Sequence, residues 1–188
     1  MNRATLDRLL SASGAVIALV LLLAGILLTW AYAYVHNQVT NQLTSEQIFF
    51  PAKDSDALSS PEIGPYLEQY AGEQLTTGVQ AEAWADHFIA VHLQEMTGGK
   101  TYAELSAAAQ AAPTDTKLAT EVDTVFRGET LRGLLLNAYA FDTMATVALF
   151  GAIVSYVGAV LLGLLSLLGW RHARRLSHPV EVSTSATV

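Results

Sequence analysis

The chain has no cysteine. That excludes a disulfide framework, a thiolate zinc site and a cysteine nucleophile. A domain outside the cytoplasm that lacks disulfides must be held by packing or by partners. Charge is scarce as well. Asp, Glu, Lys and Arg make up only 14% of the 188 residues, against about 25% in ordinary soluble domains. The P-loop, the GxGxxG turn, the GxSxG elbow, the HExxH helix and the kinase signature are all missing from the sequence. No catalytic residue, cofactor-binding residue or metal ligand is therefore assigned.

The scarcity of charge is uneven, and its placement is informative. Leu9 to Val35 contains no charged residue, and neither does Thr143 to Trp170. A bilayer core of about 30 Å takes roughly 20 helical residues at about 1.5 Å each. Both runs are long enough, with room for tilt. They predict transmembrane helices over 9–35 and 143–170. Arg3 and Arg8 precede the first run, and Ala31-Tyr32-Ala33 has the small-x-small form of a signal peptidase site. The h-region of a signal peptide is only about 7–15 residues long, so the length of this run favours an uncleaved anchor.

Orientation follows Lys and Arg near the span ends. Arg3, Arg8, Arg171, Arg174 and Arg175 flank the runs on the side of the termini, against Lys53, Arg127 and Arg132 on the other side. Both termini are expected in the cytoplasm of a multi-pass protein of the bacterial plasma membrane. Residues 1–8 form a short tail, and residues 171–188 form a second, Ser- and Thr-rich and disordered. Trp30, Tyr32 and Tyr34 crowd the outer end of the first run, and Trp170 ends the second, as suits rings at the headgroup level. The segment 36–142 is strongly acidic, which makes it a poor nucleic-acid binder.

That segment reads as three or four helices. The first span's helix continues to about Glu46, and Ile48-Phe49-Phe50-Pro51 follows as an apolar plug for the outer core. Lys53 to Pro65 is a loop, and Pro65 starts a short helix through Ala71. Thr77 to Met96 is the strongest soluble helix, with Trp84, Phe88 and Val91 on one face and Ile89, Leu93 and Met96 widening it. Gly98-Gly99 ends it. Thr101 and Glu104 form a capping box, and the helix it opens runs to about Ala111. A last helix from about Asp115 runs into the second span, with weak points at Gly128 and Gly133. Asp123–Arg127 and Glu129–Arg132 support it as exposed ion pairs. His87 and His92 are five residues apart, about 140° around the helix, which is a poor spacing for a shared metal. Asp142 sits at the edge of the second span and reads as a wet interfacial carboxylate.

The fold class expected is all-α: two transmembrane helices in a hairpin with an inserted extracytoplasmic helical domain. Within the spans, Gly151, Ser155, Ala159 and Gly163 recur every four residues, and Gly14, Ala18 and Gly25 form a looser series. In lipid no hydrophobic force drives helices together, so close backbone approach must do it. These seven residues are the expected helix-packing set. They would face either the other span or a further membrane protein, and the latter could be a second copy of the chain.

The run from Phe126 to Tyr139, FRGETLRGLLLNAY, resembles a stretch found in an uncharacterised family of actinobacterial two-span membrane proteins. Ile48-Phe49-Phe50-Pro51 and the stretch from Ala85 to Ala90, ADHFIA, are similar to other parts of it. The resemblance covers most of residues 1–175. It implies a bacterial plasma membrane and the same architecture, with no established activity. Some members carry a ring-opening dioxygenase label, but no iron-binding triad is visible here to support one. The expected function is a non-catalytic membrane accessory or scaffold whose outer helices contact a partner protein or cell-envelope component. The alternative is an extracytoplasmic sensor that lacks an output domain and acts through a signalling partner.

Overall fold

The computed structural model describes residues 3–176; Arg171–Leu176, expected in the disordered tail, instead continue the last helix, and the rest of that tail lies outside the described residues. Among the described residues six α-helices carry the chain: α1 (Arg3–Ser45), α2 (Gly64–Leu67), α3 (Gly78–Trp84), α4 (Ala90–Thr97), α5 (Tyr102–Ala111) and α6 (Thr116–Leu176). Ala85–Ile89 is a π-helical turn that joins α3 to α4 without a break. Asp56–Leu58 and Glu68–Tyr70 are short 3₁₀ turns. Among the described residues, extended pairing amounts to one isolated bridge between Phe49 and Gln74. The protein is all-helical.

The helices α1 and α6 are both long and apolar enough to cross a membrane. Only 6% and 11% of their most apolar stretches are buried. The core helix of a soluble protein would be mostly covered, so these exposed Leu, Val and Ile side chains call for an apolar solvent. The chain divides into two compact units. The first holds the described residues up to Tyr32 and from Val147 onward; the second is Ala33–Thr146.

In the second unit the main core gathers Val39 and Leu43 of α1, Phe50, Leu58, Ile63, Leu67, Leu75, Ala81, Ala85 and Val91, and Leu135 of α6. Three backbone hydrogen bonds hold the segment after α1 in place: Leu75 N–H to Ile48 O, Phe50 N–H to Glu73 O, and Gly72 N–H to Pro51 O. They turn Phe50 inward and Phe49 outward, at 3% and 57% exposure. Phe50 meets Tyr70 and the edge of Trp84, each with ring centroids 5.1 Å apart. The expected apolar plug is therefore Phe50, with Ile48 packed beside it. A smaller core joins Leu93, Leu105 and Val125.

Helix ends follow local chemistry. Thr101 accepts from the Glu104 N–H while the Glu104 carboxylate accepts from the Thr101 N–H, as expected. Thr77 and Gln80 form a second such box, which the sequence reading passed over. Gly98 takes the left-handed conformation that stops α4 (φ 61°). Met96 departs from expectation: it is 45% exposed. Even on a regular helix twelve residues carry Met96 about 120° round from Trp84, off the face that Trp84 and Phe88 set.

Candidate functional site

Two features concentrate the polar and small side chains. One is the seam between α1 and α6 in the first unit, and the other is a set of polar ties in the second.

On α6 the buried residues of the first unit are Ala152, Ala159, Ser166 and Ala173, spaced seven apart. On α1 the matching series is Ser11, Ala18 and Gly25. A seven-residue period keeps an inward face turned to a partner when the helices cross as a left-handed pair. Contacts along the seam are close. A Cβ on Gly14 would lie 2.5 Å from Ser166 Oγ, and one on Gly25 would lie 2.7 Å from the Tyr156 ring. Gly169 packs against Ser11 in the same way, and Gly158 against Leu21. The Thr29 hydroxyl donates to Gly25 O (2.8 Å), so the Tyr156 hydroxyl, 3.1 Å away, donates to Thr29. A polar ring is thereby satisfied inside an apolar stretch.

The expected helix-packing set divides accordingly. Gly14 and Gly25 face α6 directly, and Ala18 is half-buried. Of the four-spaced strip, Ala159 is buried in the seam, Ser155 is half-buried, and a Cβ on Gly151 would lie 3.3 Å from Leu28. A Cβ on Gly163 would meet nothing within 4 Å. The reason is angular. Four residues overshoot a turn by about 40°, so the strip has wound about 120° around α6 between Gly151 and Gly163. A seven-residue step drifts by only about 20°.

In the second unit, Asp142 is not the wet carboxylate expected. Its side chain is 13% exposed. Oδ1 accepts from His36 Nδ1 (2.8 Å), and Oδ2 accepts from the Gly78 N–H at the start of α3 (3.1 Å). Three elements meet on one carboxylate. Gly78 permits it, since a Cβ there would lie 2.5 Å from Asp142 Cβ. Arg132 donates from Nη2 to Asp86 Oδ1 in the π turn (2.8 Å) and also approaches Glu129 (3.5 Å). The Asp86 hydrogen bond raises the Arg132 pKa above its ordinary value. His87 stacks on Tyr66 with centroids 3.5 Å apart, and His92 Nδ1 lies 2.7 Å from Phe88 O. The expected Asp123–Arg127 pair is present and exposed (2.9 Å).

His36, Asp142, Asp86 and Arg132 are thus committed to joining separate elements, at positions where sequence spacing gives no hint of pairing. Comparison with protein-family models, with curated proteins and with solved structures finds no match.

Proposed function

We propose that the protein is a non-catalytic integral membrane accessory or scaffold. In this reading α1 and α6 cross a bacterial plasma membrane with both termini in the cytoplasm, and residues 36–142 form a helical domain outside it. That domain contacts a partner protein or a cell-envelope component. The observation that carries the reading is an aromatic pair on its surface. Tyr102 and Phe126 lie with ring centroids 5.7 Å apart and stay 41% and 54% exposed. Aromatic side chains left bare in this way are what protein interfaces are enriched in. The polar ties support the reading from the other side, because they hold the enclosed Asp142 carboxylate and the partly exposed His36, Asp86 and Arg132 in contacts between elements.

The test is co-purification in mild detergent from the native membrane, comparing the wild type with Tyr102→Ser/Phe126→Ser. One protein or envelope component recovered reproducibly with the wild type and lost with the variant supports the proposal. Equal recoveries with both forms overturn the assignment of this surface.

A further inference from the structure

The helix pair carries two openings beside its seam, and they differ in chemistry. On one side Asp7, Leu10, Gly14, Leu162 and Leu165 flank the seam residues Ser11, Ser166 and Gly169. On the other side a cavity of about 370 Å³ is lined by Arg8, Ala12, Trp170 and Arg174. It adjoins through Trp170 a second cavity of about 220 Å³, lined by Ala15, Ala18, Gly163, Ser166, Leu167 and Trp170. Helical spacing makes these one groove: Arg8, Ala12 and Ala15 follow one face of α1, and Arg174, Trp170, Leu167 and Gly163 follow one face of α6. One end is therefore cationic and aromatic. The rest is apolar and shallow-walled, because Ala and Gly leave room there. Gly163, which faces open space rather than α1, forms part of that room.

We propose that this groove binds one anionic phospholipid. The two guanidinium groups hold the phosphate, Trp170 lies beside the glycerol region, and an acyl chain runs along Ala15, Ala18 and Gly163. Arginine suits this role because its planar fork matches phosphate oxygens and stays charged. Basic pockets between membrane helices recognise anionic headgroups in this way. The carboxylate of Asp7 lines the opening across the seam and not this one. The inference rests on the reading that α1 and α6 lie in a bilayer.

The test uses the full chain in neutral detergent micelles, titrated with phosphatidylglycerol or phosphatidylcholine, with bound lipid counted by native mass spectrometry. The wild type retains phosphatidylglycerol about tenfold over phosphatidylcholine. Arg8→Gln/Arg174→Gln removes that preference. Arg171→Gln/Arg175→Gln removes as much charge near the end of α6 but outside the groove, and keeps it. Gly163→Leu fills the apolar part and lowers retention of both lipids. Equal retention of the two lipids by the wild type overturns the proposal, and so does an equal loss from both arginine pairs. Carbonate extraction separates the premises: release of the protein from native membranes would sink the bilayer reading itself.

Discussion

His36 on α1 donates from Nδ1 to Asp142 on α6 across 2.8 Å, although 106 positions separate them in the chain. The carboxylate is enclosed and takes a second hydrogen bond from the Gly78 backbone. Removing either partner takes one hydrogen bond from the other, and the enclosed carboxylate keeps only the Gly78 contact. In a double-mutant cycle, His36→Ala and Asp142→Ala should each destabilise by about 1–3 kcal/mol. They should couple by about 0.5–3 kcal/mol. Thermal unfolding in detergent micelles measures both; strict additivity would mean that the pair does not act as one tie.

Gly78→Ala tests the same junction from its backbone side. The new Cβ would sit 2.5 Å from Asp142 Cβ, an atom too close to its own helix to swing away. The start of α3 and α6 must then separate, at a cost of about 1–3 kcal/mol. Ala is the better helix former, so an unchanged or raised unfolding temperature would show that the contact is loose.

The seam can be read covalently, because a chain without cysteine accepts a designed pair with no background. A Cβ on Gly14 lies 3.8 Å from Ser166 Cβ, close to the usual disulfide separation of about 3.8 Å. Gly14→Cys with Ser166→Cys should oxidise to an intramolecular disulfide, seen as a mobility shift on non-reducing gels. Adding Gly25→Leu, which collides with the Tyr156 ring, should lower the yield several-fold. Adding Gly163→Leu should leave it unchanged. Equal effects would remove the distinction between seam and groove.

Acid should loosen the start of α5. The Thr101 backbone N–H and hydroxyl hold the Glu104 carboxylate below its ordinary pKa, and Lys100 assists. A folded-state pKa that is lowered contributes stability above the unfolded value and loses it as pH falls through the folded one. The loss therefore lies below about pH 4, the ordinary carboxylate range. Hydrogen exchange at the first amides of α5 should quicken there in the wild type. In Glu104→Gln it should show little pH dependence beyond the intrinsic chemistry.

The legible part of this protein was the part set by local rules. Two uncharged runs, the Thr101–Glu104 box and the Gly98 stop all depend on neighbours within a few residues, and the structure has each of them. Asp142 was misread because its partners lie 64 and 106 positions away; nothing near it in the sequence signals a histidine or a helix start. Arg132 illustrates a partial success. Its pairing with Glu129 was readable from helical spacing, while the shorter contact with Asp86 depends on where the π turn sets that side chain. The small-residue strip divides between seam and open face because a count by fours and a count by sevens share Ala159. Only the geometry of the second helix decides between them.

The seven-residue spacing also governs how this protein could change in length. Deleting one residue between Ala152 and Ala159 would turn the rest of α6 by about 100°, bringing Val160, Leu167 and Arg174 to the positions of Ala159, Ser166 and Ala173. Bulky chains and a guanidinium would then stand where backbones now touch, and the disulfide yield described above should collapse. Deleting a whole seven would keep the seam and shorten the span by about 10 Å. Insertions and deletions here are tolerable only in steps of one heptad, and the thickness of the host membrane limits how many such steps there can be.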